Sequence, residues 1–217
     1  MVAMVNAGHF IDSEFPARFR ALIPAALKAA YAAVDDLYKT EVILQVRSAL
    51  AEKGHAIHWA VDHQIERLLK TLKLPFDYRW VLYERPTGEY LQIRLPTSTM
   101  SISQLPNPTN VPRHAFFRHN RALNNAPFLN FPEFDNELQI TGLPHLILAH
   151  GYQNLSFAYV GLPHWSNAEW IYRTPNLLKT PHLVVSDESK VEASDVEAVV
   201  TLRDELSRWA RDNANDE

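Results

Sequence analysis

The sequence predicts an α+β protein with an N-terminal helical region, a mainly antiparallel sheet built from two hairpins, and a C-terminal helix packed on the sheet. Three observations predict it. Residues 1–74 place apolar side chains at three-and-four spacing, residues 75–186 change to alternating segments broken by glycine and proline, and residues 192–212 return to helical spacing. With 217 residues, 47% of them hydrophobic and 21% charged, the chain can bury a sizeable core, since domains above ~150 residues hide roughly 70% of the surface that the unfolded chain exposes. One domain over 1–217 is expected.

The elements follow in order. From Glu14 to Tyr38 the chain is rich in alanine and leucine, and Pro24 falls where a helix can begin, because its missing N–H costs nothing in a first turn. Two helices or one kinked helix are predicted there. Val42, Ile43, Val46, Ala49 and Leu50 form the stripe of a third, with Gly54 as its stop. Ile57, Val61, Ile65, Leu68 and Leu72 mark a further amphipathic helix over 55–72, closing before Pro75.

At Pro75 the period changes. Segments 78–85 and 89–95 flank Pro86-Thr87-Gly88, and a two-residue turn at Thr87-Gly88 pairs Arg85 with Tyr90, Tyr83 with Gln92 and Val81 with Arg94. In that register Trp80, Leu82, Leu91, Ile93 and Leu95 face the core, while Arg79, Arg85, Arg94, Tyr83, Tyr90 and Gln92 face away from it. Residues 97–103 alternate as a third strand, in a sheet covered on one side. Segment 105–137, with five prolines, reads as a long irregular connection. A second hairpin over 145–152 and 155–161 turns at Gln153-Asn154, and 183–186 is a short further strand. Ser194 with Glu197 is a capping-box signature for the closing helix.

Charge is unevenly distributed. Residues 79–121 carry six arginines against two glutamates, whereas the chain beyond 121 carries fourteen acids against six bases. The basic stretch holds the cluster Arg113-His114-Ala115-Phe116-Phe117-Arg118-His119-Asn120-Arg121. Arginine forks match phosphate oxygens and aromatic rings stack on bases, so the candidate ligand-binding residues are Arg79, Arg85, Arg94, Tyr83, Tyr90, Arg113, His114, Arg118, His119 and Arg121. The competing reading is a solvated sheet face with Phe116 and Phe117 anchoring a loop. A net charge of −4 is unlike the strongly basic character of a general nucleic-acid-binding domain.

Other constellations carry weaker chemistry. His55, His58, Asp62 and Glu66 share one side of the fourth predicted helix, a conceivable metal face that lacks the His-Glu-x-x-His pattern and reads equally as surface. Gly142-Leu143-Pro144-His145 recurs as Gly161-Leu162-Pro163-His164, which places both copies at one end of the second hairpin and brings His145 towards His164. Strand-end punctuation explains the same repeat. Glu84, Glu89 and Gln92-Ile93-Arg94 invite comparison with metal-dependent nucleases, but glutamine and arginine stand where a carboxylate and a lysine would be.

Several classes are excluded. Six scattered glycines permit neither a P-loop nor a dinucleotide-binding run, there is no Gly-x-Ser-x-Gly, and zero cysteines rule out disulfides and thiolate sites. The start has no basic and apolar leader pattern, and no stretch approaches the ~20 apolar residues of a membrane span. The expectation is a cytoplasmic, non-enzymatic binding or regulatory protein without a cofactor, holding a phosphate-bearing ligand, a nucleic acid or an acidic partner. Two alternatives stand: a metal-dependent phosphodiester hydrolase using histidine and carboxylate ligands, and a structural homodimer through the alanine-rich N-terminal helices.

Overall fold

A computed structural model describes residues 6–83, 88–112, 121–128, 142–164 and 169–180. The order is α1 (Ala7–Glu14), α2 (Ala17–Arg20), α3 (Ile23–Thr40), a 3-10 turn (Val42–Gln45), α4 (Arg47–Lys70), then β1 (Asp77–Leu82), β2 (Glu89–Arg94) and β3 (Thr99–Leu105). A 3-10 turn at Leu123–Phe128 precedes β4 (His145–Gly151), β5 (Ala158–Pro163) and β6 (Trp170–Arg173). The α+β class holds. The predicted strand at 183–186 and the C-terminal helix lie outside the described residues.

The six strands lie in sequence order, and every neighbouring pair is antiparallel except β3 with β4. A parallel pair needs a crossover, which is what the long connection after β3 provides. The sheet is therefore two antiparallel halves joined at a parallel seam. The helices cover one face, where Ile57, Val61 and Ile65 of α4 meet Ala30 and Val34 of α3 and the sheet residues Leu91, Ile93, Met100, Ile102, Leu146, Leu148 and Val160. Burying each such branched side chain is worth roughly 1.5–3 kcal/mol. The alanines of the N-terminal helices, Ala26, Ala30 and Ala33, are spent in this same core.

The helix boundaries differ from expectation: a helix already spans Ala7–Glu14, ahead of the expected start at Glu14, and 42–72 is not two helices. Pro24 opens α3 as predicted, but Gly54 does not end a helix; α4 runs through it. A side chain at Gly54 would collide with the ring of Tyr152, so the glycine serves close approach of the β4–β5 connection. The expected stripe of Val42, Ile43, Val46 and Leu50 is exposed, since only a 3-10 turn and the first turn of α4 carry it.

The first hairpin is also corrected. Val81 pairs with Tyr90, Arg79 with Gln92 and Asp77 with Arg94, four residues away from the two-residue turn register. That turn would need a ladder N–H from Pro86, which proline lacks. Instead Tyr83 N–H donates to the Gly88 carbonyl at 2.8 Å, with Gly88 at φ +126°. An even shift preserves the faces, so the arginines stay opposite the core. Trp80 and Leu82, expected in that core, are 42% and 70% exposed, because β1 is an edge strand and the cluster beneath the helices draws on β2 to β5.

The sheet is covered on both faces over its centre, not on one. Leu105, Ile147, Ala149, Phe157 and Tyr159 form a second cluster with Trp170 on the face away from the helices. The Tyr159 hydroxyl donates to Pro108 O at 2.9 Å and Trp170 Nε1 to Asn110 O at 2.9 Å, so the chain leaving β3 is pinned over this face. Gln92 and Tyr90, expected outward, are also only 2% and 4% exposed, beside Arg79, Tyr83 and Arg121.

Candidate functional site

Beside that second cluster, over β1, β2 and the start of β3, the same face carries a hollow of about 290 Å3. Strand alternation places Arg79 and Arg94 there, and Arg121 reaches in from the crossover. Thr99, Asn124, Gly142 and Leu143 line the rim, with Asp77 as the one acid among the described residues. A side chain at Gly142 would overlap the Asn124 amide, so glycine there lets the returning chain close against the crossover.

Gln92 occupies the centre of the wall and determines its chemistry. Arg79 Nε donates to Gln92 Oε1 at 2.9 Å, and a guanidinium can only donate, which identifies the oxygen of the amide. Gln92 Nε2 then presents two N–H donors, and it has no partner among the described residues although it is buried. An unpartnered buried amide costs roughly 1–3 kcal/mol, which an acceptor entering the hollow would recover. Among the described residues, none of the three guanidinium groups has a carboxylate within ion-pair distance.

Along the same face Tyr83 stacks on Tyr90 with centroids 5.2 Å apart, and the Arg121 guanidinium lies 6.0 Å from the Tyr90 ring. Of the ten residues expected to bind ligand, Arg79, Arg94, Arg121, Tyr83 and Tyr90 are thus on one face of the sheet. Arg85, Arg113, His114, Arg118 and His119 lie outside the described residues. Sequence reasoning did not assign Gln92, Thr99 or Asn124 to the site. Gln92 carried a signal, its place between Tyr90 and Arg94 in the alternation; Asn124 carried none.

The floor beside the hollow is polar and locked. His145 is fully buried, with Nδ1 2.9 Å from Thr99 Oγ1 and Nε2 3.0 Å from Ser101 Oγ. Asn125 accepts from His145 N at 2.8 Å and donates to His145 O and Pro163 O at 3.1 and 2.9 Å. Both Gly-Leu-Pro-His copies therefore sit at one end of the second hairpin, as their spacing implied, clamped by one amide.

The candidate metal face opens elsewhere, between α4 and β1. His55 turns away to Glu52, while His58, Asp62 and Glu66 line a separate cleft. Among the described residues no three histidine or carboxylate groups come together as metal ligands. Glu89, paired with Leu82, is on the helix side of β2 and Gln92 and Arg94 are on the other, so the nuclease-like comparison does not bring them together; Glu84 lies outside the described residues.

The chain matches no protein-family model, no curated protein and no solved structure. Its fold and site define a class alone, an α+β protein with an arginine-lined hollow on the sheet face opposite its helices. No described helix is long and apolar enough to cross a membrane.

Proposed function

We propose that the protein is a cytosolic binding or regulatory protein, not an enzyme, whose hollow holds the phosphate group of a phosphate-bearing ligand. The observation that carries this reading is the donor-rich chemistry around Gln92. Its buried amide offers two unused N–H groups beside three guanidinium groups, and an acceptor-rich anion satisfies them together. Phosphate suits the site better than a carboxylate, because it has more acceptor oxygens for as many donors. A volume of about 290 Å3 fits a phosphate or a small phosphate ester. The Tyr83–Tyr90 pair beside it supports a ligand with a planar group attached. Hydrolysis of a phosphodiester is the less favoured reading, since Glu89 of β2 and the arginines occupy opposite faces.

The test is calorimetric titration with inorganic phosphate, pyrophosphate and a short single-stranded oligonucleotide. Arg94→Ala and Arg121→Ala are expected to weaken phosphate binding about tenfold each, and each to lower the salt slope for the oligonucleotide by about 1. Unchanged affinities in the Arg79→Ala, Arg94→Ala, Arg121→Ala triple variant would remove the proposal.

A further inference from the structure

The cleft between α4 and β1 has the opposite character to the hollow. It encloses about 430 Å3 and is lined by Trp59, Asp62 and Glu66 from the helix and Trp80 and Glu89 from the sheet, with His58 and His63 beside them. On α4, positions 58, 62 and 66 fall one turn apart, as do 59 and 63, so both rows face the cleft. Strand alternation sends Trp80 and Glu89 to this side and Arg79 to the other. Two indoles, 46% and 42% exposed, flank it.

Within the cleft Asp62 carries a buried oxygen without a donor among the described residues. Asp62 is only 4% exposed; its Oδ2 lies 3.5 Å from His58 Nε2, and its Oδ1 has no hydrogen-bond partner among the described residues. Glu66, by contrast, is engaged on both oxygens: Oε1 accepts from Trp80 Nε1 at 3.1 Å, and Oε2 meets Lys70 at 3.0 Å. Glu66 therefore fixes the Trp80 ring beside the opening, which leaves Asp62, with Glu89 at the rim, as the acids able to meet a ligand. A buried carboxylate oxygen without a donor, in a cleft lined by two part-exposed indoles, calls for a positively charged group with polarisable or apolar surface. A small hydrated metal ion meets neither requirement, since it keeps its water and demands several oxygen ligands.

We infer that this cleft is a binding site for a small organic cation, an alkylated ammonium or a guanidinium, held against Asp62 Oδ1 and between Trp59 and Trp80. The site is independent of the arginine hollow, which lies on the other face of β1. Occupation would satisfy the orphaned oxygen and cover exposed indole together.

The experiment is calorimetric titration of the full chain at pH 8 with methylguanidinium and tetramethylammonium chlorides, against sodium and magnesium chlorides at matched ionic strength. Saturable binding of an organic cation is expected, and none of sodium or magnesium beyond the ionic-strength background. Asp62→Asn is expected to weaken it about tenfold or more and Trp80→Leu several-fold, while Arg94→Ala leaves it unchanged. Circular dichroism establishes that each variant is folded, and Glu66→Ala, which removes the acceptor that holds the Trp80 ring, serves as a second probe with a several-fold loss. No saturable binding of either organic cation, binding undiminished in Asp62→Asn and Trp80→Leu, or a preference for magnesium would each overturn the inference.

Discussion

Asp62 and His150 are buried groups whose titrations oppose each other. Burial, reinforced by the Glu66 charge, raises the Asp62 carboxyl to about 7. Burial, with the nearby His58, lowers the His150 imidazole to about 3. Burial holds His150 neutral; the Tyr31 hydroxyl donates to Gly151 O, so that His150 Nδ1, 2.7 Å from the same hydroxyl, donates to it. The folded state thus binds a proton at Asp62 that the unfolded state has released between pH about 4 and 7, and acidification through that window stabilises the fold. At His150 the unfolded state binds the extra proton between about 6.5 and 3, so acidification destabilises. In the wild type the two slopes largely cancel. Asp62→Asn is therefore expected to be more stable than wild type at pH 8 and to lose that advantage towards pH 5, at up to about 1.4 kcal/mol per pH unit. Denaturant melts at the two pH values measure it, and a stability difference that does not change with pH would show that Asp62 is ionised normally.

At the scale of elements, the first hairpin separates alternation from register. Faces follow from the two-residue period, and every face assigned to 79, 90, 92 and 94 holds in the pairing observed. Register depends on the turn, and Pro86 disfavoured the tightest one. Burial depends on neither. Ile93 is fully buried while Leu82, on the same face, is 70% exposed, because one is on an interior strand under the helices and the other at the end of an edge strand. Ile93→Ala is expected to destabilise by ~2–5 kcal/mol and Leu82→Ala to stay within ~0.5 kcal/mol. Comparable losses in urea melts would mean that β1 is covered along its length. Glu14 shows a second element-scale device: its buried carboxylate accepts from Thr97 N, Thr97 Oγ1 and Ser98 Oγ at 2.9, 2.7 and 2.6 Å, tying the end of α1 to the β2–β3 turn.

At the scale of the whole molecule, the parallel seam between β3 and β4 forces the chain across the sheet and back, and Asn125 fastens that crossing. Its amide completes three hydrogen bonds to the backbone at the ends of β4 and β5, in a fully buried position. Asn125→Ala leaves those backbone groups without partners and is expected to cost about 2–5 kcal/mol. It is also expected to weaken phosphate binding, since Asn124 and Arg121 are carried on the same segment. A melt within ~0.5 kcal/mol of wild type would show that the crossover is held by other contacts.

The sequence by itself determined the class, the two-residue and 3.6-residue periods, the helix start at Pro24, and the face on which Arg79, Arg94, Tyr83 and Tyr90 lie, because these follow from local backbone geometry. Tertiary structure alone decided the parallel seam, the cover over the second sheet face, the burial of Gln92 and the exposure of Trp80. Those depend on which segments cross which, through contacts between residues far apart in the chain. The same holds for both candidate sites. The hollow exists because Arg121, carried on the connection after β3, returns beside Gln92, and the cleft because α4 ends up against an edge strand whose alternation sends tryptophan to one side and arginine to the other.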